Sequence, residues 1–190
     1  QPDNGLRDGN PWEIVRPDLR YTVNFGGRVE MIHENGRDNY KWVDTDKIQG
    51  VAYDMPIIGY GGKTVNTLRL WSAKALEEFS FEEFNGGDYH KAVRHKVSAE
   101  NISQVLYPND TQYLGKVLRL KQQYFFVACS LADIIRRFKR SSGNWRELPA
   151  YAAIQLNDTH PSIAIAELMR ILVDQENLDW DFAWDITRQC

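Results

Sequence analysis

Cysteine is scarce in this chain: Cys129 lies inside a helical pattern and Cys190 is the last residue. Two such residues make neither a disulfide framework nor a metal site, so both are read as reduced thiols. Long apolar runs are missing too. No stretch approaches the ~18 apolar residues that a membrane span needs, and no basic-then-apolar segment opens the chain. A cytoplasmic protein without membrane contact is therefore expected. An excess of one charge sign is also absent. The 23 Lys and Arg against 26 Asp and Glu leave a net charge of −3, which offers no basic field for nucleic acid. Asn101, Asn109 and Asn157 begin glycosylation acceptor patterns that carry no weight without a secretory signal. The chain opens with Gln1 rather than methionine and stops at Cys190 in a pattern that still looks helical. A fragment is expected.

What is present is ordinary globular material, 43% hydrophobic and 26% charged over 190 residues, enough for one domain with a substantial core. The first third, about residues 1–75, reads as β-rich. Tyr21 to Phe25, Arg28 to Ile32, Lys41 to Val43 and Ile48 to Tyr53 alternate or run apolar in the manner of strands, and Thr64 to Trp71 follows a Gly61-Gly62 turn. From about residue 88 to 190 helices take over, with one buried strand. Asp88 to about Leu106 carries only Tyr89, Val93, Val97 and Val105 as a narrow apolar stripe, which fits either a protruding helix packed on a second subunit or a solvated surface helix. Lys116 to Phe138 is apolar nearly all round and is expected to be buried. Asp179 is a candidate cap for a last helix bearing Trp180 and Trp184.

The most informative run is Ile154-Gln155-Leu156-Asn157-Asp158-Thr159-His160-Pro161, set between apolar Ala152-Ala153-Ile154, read as a buried strand, and Ser162 to Val173, read as a buried helix. A strand-to-helix turn in a parallel sheet lies where ligands bind. The same residues also fit a plain helix start, with Thr159 or Asp158 as cap and Pro161 in the first turn. Tyr107-Pro108-Asn109-Asp110-Thr111-Gln112-Tyr113-Leu114-Gly115 is a loop between two helices, open to a functional reading or to that of a simple connector. Arg136 and Arg137 near a helix end suit the helix dipole first, and an arginine pair also suits a phosphate.

Several words of this sequence resemble the glycogen (α-glucan) phosphorylase family. They are Asn10-Pro11-Trp12-Glu13, Tyr53-Asp54, Val65-Asn66-Thr67-Leu68-Arg69-Leu70-Trp71, Phe84-Asn85, Gly87-Asp88-Tyr89, Leu106-Tyr107-Pro108-Asn109-Asp110, Leu118-Arg119-Leu120-Lys121-Gln122 and Gln155 to Pro161. The resemblance runs almost end to end. It implies an α/β fold, as a partial N-terminal domain spanning residues 1–190 of a two-domain GT-B type glycosyltransferase. It further implies phosphorolysis of terminal α-1,4 links of glycogen, starch or maltodextrin to glucose 1-phosphate. The cofactor it implies is pyridoxal phosphate on a lysine of a C-terminal domain outside this chain, so the chain alone is expected to be inactive.

Carried over by the resemblance, Asn109 and Asp110 match a mobile gate loop at the glucosyl and phosphate site, and Asp110 would repel an anion bound beneath it. His160 and Asp158 match positions beside the catalytic cleft, in orienting rather than acid or base roles. Arg136 and Arg137, with Arg69, match the residues that bind the phosphate of an AMP-like effector. The helix from Asp88 matches the one through which family members form homodimers. Departures at Thr111, Gln112 and Leu114 imply altered gate control and a weak or absent purine site. Two other readings are a nucleotide-sugar glycosyltransferase domain and a non-catalytic effector-binding or dimerisation module.

Overall fold

The computed structural model describes residues 10–34, 36–76, 85–87, 89–106 and 108–190. Asp88, Phe84 and Tyr107, which figure in the sequence reading, lie outside them. The architecture is mixed α/β, in two compact units that interleave along the chain: residues 1–22 with 48–105, and 23–47 with 106–190. No helix among the described residues is long and apolar enough to cross a membrane.

The first unit is built on strands β1 (Ile14–Phe25, which runs on into the second unit), β4 (Asp46–Ile58) and β5 (Val65–Ala75), in the order β1-β4-β5. Strands β4 and β5 pair antiparallel from Ile48↔Ala75 to Ile58↔Val65. A 3-10 turn at Tyr60–Gly62 joins them, closed by the Gly59 N–H donating to the Thr64 carbonyl at 2.8 Å. Val51, Ala52, Trp71 and Ala73 are buried. Helix α1 (Tyr89–Gln104) packs its second half on β5: Ala99 and Ile102 are buried, the Ala73 N–H donates to Ser103 Oγ at 2.8 Å, and Lys74 faces Glu100. Tyr89, Val93, Val97 and Val105, the apolar stripe read from the sequence, are all exposed, so that stripe lies on the outer face of the helix and Ala99 and Ile102 form its inner one.

The second unit contains the hairpin of β2 (Arg28–Glu34) and β3 (Arg37–Val43), paired from Arg28↔Val43 to Glu34↔Arg37, and helix α2 (Tyr113–Ser141). It also holds a 3-10 turn (Trp145–Glu147), a single helical turn α3 (Leu148–Tyr151), helix α4 (Ala164–Arg170), which runs on as a π-helical segment (Ile171–Gln175), and helix α5 (Trp180–Thr187). Gly27, in the turn before β2, has a positive φ of 70°, and a Cβ there would meet the Val43 carbonyl oxygen at 2.3 Å, so only glycine closes this corner. The core joins α2 (Leu131, Ile135, Phe138) to Leu168, Met169 and Leu172 and to Ala183 and Ile186 of α5.

Four expectations change. Helix α2 is not buried all round: burial begins at Gln122, while Tyr113, Leu114 and Leu120 face outward. The segment 152–156 is not a strand, because no neighbouring strand among the described residues offers a ladder. It is extended, with Ala152 buried, Ala153 and Gln155 exposed and Ile154 and Leu156 half-buried, and the Ile154 N–H donates to the Cys190 carbonyl at 2.9 Å. That alternation is the period-two pattern of an extended chain. Asp179 occupies the N-cap of α5 without a side-chain capping bond. That helix ends at Thr187, three residues before Cys190.

Candidate functional site

Neither Asp158 nor Thr159 caps α4, whose N-cap position is Ile163. Between Thr159 and Ile165 the chain enters the helix through successive i to i+3 bonds: Ser162 N–H to Thr159 O, Ala164 N–H to Pro161 O, and Ile165 N–H to Ser162 O. The turn is instead set by Asp158, which has a left-handed φ of 67°, a conformation that short polar side chains tolerate best. Its Oδ1 accepts from the Thr159 N–H at 2.5 Å. The backbone N–H and then the hydroxyl of Thr159, helped by the nearby His160 ring, hold the Asp158 carboxyl below the usual carboxylate range.

This corner projects His160 sideways onto α2. Its Nδ1 lies 3.4 Å from Gln123 Nε2, and its Nε2 lies 3.9 Å from Asp158 Oδ2. The second separation is too long for a hydrogen bond. The imidazole is thus flanked by an amide on one nitrogen and a carboxylate on the other, with 30% of the side chain exposed.

The Asn109–Asp110 loop arrives at the same place from the opposite end of α2. Asn109 Oδ1 accepts from the Thr111 N–H at 2.9 Å, an Asx turn that folds the loop on itself. Asp110 Oδ2 accepts from Arg119 Nη1 at 2.7 Å. Asp110, Lys116, Arg119, Gln123, Thr159 and His160 line one cavity of about 280 Å³. A more apolar cavity of about 200 Å³ shares Arg119, Gln123 and His160 and adds Leu106, Phe126 and Pro161. Asp110 and His160, fifty residues apart in sequence, therefore face one space, with two cations on its wall. Asn109 and Asp158 shape the loop and the corner from outside it.

The arginines are engaged elsewhere. In the first unit Arg69 stands directly across from Asp54 in the β4–β5 register, and its Nε and Nη2 donate to Asp54 Oδ1 and Oδ2, both at 2.7 Å. Arg16 Nη1 adds a third bond at 3.0 Å. Hydrogen bonding from Arg69, against the opposing effect of burial, lowers the Asp54 carboxyl from its ordinary value. In the second unit Arg136 and Arg137 both turn to Asp133, at 2.9 and 3.3 Å, whose side chain is only 4% exposed. Arg136 and Arg137 stand more than one turn before the end of α2, whose last turn carries Lys139 and Arg140, so Asp133 takes precedence over the helix dipole.

Residues that sequence reasoning passed over hold the site together. Gln123 and Lys116 line the cavity, Arg119 binds Asp110, and Asp133 binds the arginine pair. Only the last was recoverable, because positions three and four residues apart on a helix share a face. Beneath the corner, Glu167 is buried and accepts from Arg170 Nε and Nη2 at 2.7 and 2.8 Å and from the Tyr124 hydroxyl at 3.3 Å. Burial first, and then Glu167, push the Tyr124 phenol up. Arg170 lies over the Trp42 ring, 5.6 Å from its centroid. This network ties α4 to α2 and to β3.

The fold thus brings a loop carboxylate, a histidine and two cations to one cavity beside α2. The carbohydrate phosphorylase family matches this chain over residues 1–190, and the chain belongs to that family. It is 53% identical over 197 residues to the brain form of glycogen phosphorylase from Homo sapiens, covering 100% of this chain and 23% of that protein. It is 54% identical over 195 residues to the muscle form from Mus musculus, covering 98% of this chain and 23% of that one. The chain thus spans about 23% of the length of these relatives. The matches do not favour a nucleotide-sugar glycosyltransferase or a non-catalytic module.

Proposed function

We propose that this chain forms part of an α-1,4-glucan phosphorylase that cleaves terminal links of glycogen, starch or maltodextrin with inorganic phosphate to give glucose 1-phosphate. It acts in the cytoplasm, within a two-domain GT-B type enzyme. The observation that supports this reading most is the shared cavity of Asp110 and His160, in a chain matched end to end by the phosphorylase family. His160, steadied by Gln123, orients a sugar hydroxyl, while Asp158 fixes the turn that presents it. Asn109 folds the loop that brings Asp110 to the rim, where its carboxylate disfavours an anion and its displacement admits one. Lys116 and Arg119 supply the compensating positive charge.

Pyridoxal phosphate, which supplies the proton-relaying phosphate in this family, is not assigned to these residues. The cavity's one lysine, Lys116, is exposed, and the resemblance places the cofactor's lysine in a C-terminal domain outside this chain. The exposed Tyr89, Val93 and Val97 of α1 supply the apolar face for a homodimer. An effector phosphate is the subordinate reading, taken for each unit by itself: at Arg69 such a ligand has to displace Asp54, and at Arg136 and Arg137 it has to displace Asp133.

The test is direct. The full-length protein, supplied with its cofactor, is incubated with maltodextrin and phosphate, and glucose 1-phosphate is measured. Phosphate-dependent release from the chain ends supports the reading, and its absence in a folded, loaded protein refutes it.

A further inference from the structure

We propose that Arg119 is a positioning residue for Asp110, and that Gly115 is the seat on which the Asn109–Asp110 segment rests. The inference depends on the phosphorolysis reading for its kinetic consequence, and adds what fixes the loop carboxylate and sets its effective charge.

Two independent features converge on this segment. The first is steric. Gly115, the third residue of α2, lies so close to the loop that a Cβ would meet the Asn109 carbonyl oxygen at 1.9 Å and the Asp110 Cα at 3.2 Å. Contacts that short do not exist, so any larger residue at 115 must lift the loop backbone off the helix. The second is ionic. Arg119, one helical turn further along, reaches back to Asp110 at 2.7 Å, with the side chains 31% and 50% exposed. Core packing does not hold this end of α2, because Tyr113 and Leu114 are 78% and 77% exposed, and the Gln112 side chain makes no capping bond. Among the described residues, the glycine seat, the ion pair and the Asn109–Thr111 turn are what keep the loop where it is.

The pairing also changes what an anion in the cavity meets. A carboxylate in contact with a guanidinium presents a partly cancelled field, whereas a released one presents its full charge. Removing Arg119 takes a cation from the wall and uncovers Asp110 at once. While Asp110 stays over the cavity both effects weaken anion binding, and only the second depends on Asp110.

The experiment uses the full-length, cofactor-loaded enzyme with wild type, Arg119→Gln, Arg119→Lys, Asp110→Asn, the double variant Arg119→Gln with Asp110→Asn, and Gly115→Ala. Arg119→Gln is expected to raise the KM for phosphate about fivefold, the scale of a partly exposed ion pair, and to raise it more than it lowers kcat. Arg119→Lys, which keeps the charge, recovers part of the loss. In the Asp110→Asn background the same Arg119→Gln change has a smaller effect. Hydrogen exchange over residues 108–112 is expected to speed up in Arg119→Gln and Gly115→Ala, with melting temperatures close to wild type. An equal KM increase with and without Asp110 overturns the positioning role, as does unchanged exchange in both loop variants. If wild type carries out no phosphorolysis, the functional reading fails, and the exchange measurement still decides whether the latch exists.

Discussion

Replacing Glu167 by alanine tests the network beneath the His160 corner. Glu167 is 5% exposed and holds Arg170 through two bonds, and removing it leaves a guanidinium whose side chain is 24% exposed beside a Tyr124 hydroxyl that has lost its carboxylate acceptor. Breaking a buried pair on one side costs about 3–5 kcal/mol. The residual water access of Arg170 puts this case near the lower end, about 3 kcal/mol. For a chain of this size that lowers the melting temperature by about 6–12 °C. Glu167→Gln keeps the shape and one acceptor, and is expected to cost about 1–2 kcal/mol, the scale of a hydrogen bond to a charged group. Replacing Glu167 and Arg170 together by methionine removes both charges, and is expected to cost less than Glu167→Ala alone. Urea unfolding followed by tryptophan fluorescence measures all three, with Trp42 beside Arg170 as one reporter. A Glu167→Ala loss below about 0.5 kcal/mol, the range of ordinary surface changes, would show that the network contributes nothing to the fold and refute the reasoning.

Three further outcomes follow from the same geometry. The Asp54 carboxyl is held low by Arg69, so its stabilising contribution is full above the unfolded carboxyl value of about 3.9 and disappears as pH falls through the depressed folded one; Asp54→Asn is expected to lower stability at pH 7 and flatten that acid limb in a pH series of melting curves. Asp174 is shifted the other way, raised by burial despite Arg170. Its charge is therefore a burden that appears as pH rises past the unfolded value, and Asp174→Asn is expected to raise the melting temperature at pH 7 but not at pH 3. His160→Ala in the full-length enzyme is expected to lower kcat at least tenfold, with a melting temperature close to wild type; an unchanged kcat excludes the orienting role.

The strands were legible because each is written in local terms. Tyr21 to Phe25 and Ile48 to Tyr53 alternate or run apolar, and Gly26-Gly27 and Gly61-Gly62 mark the turns. The helices were legible for the same reason, since a 3.6-residue stripe is a property of neighbours in sequence. Ala152-Ala153-Ile154 is extended but not a strand, because an apolar run fits one while a ladder requires a partner that the run does not specify. The depth of α2 was overestimated because the apolar count of its first turns says nothing about what covers them.

By itself the sequence determined the family, the order of the elements and the words Asn109-Asp110 and Asp158-Thr159-His160, all of which are properties of the linear chain. Only the tertiary structure decided that Asp110 and His160 share one wall, that Arg119 rather than solvent receives the loop carboxylate, and that Asp54 engages Arg69. Those facts depend on charges and close approaches between residues distant along the chain, or on which side of a helix meets the core. Coulomb attraction and steric exclusion act through space, and separation along the chain fixes neither.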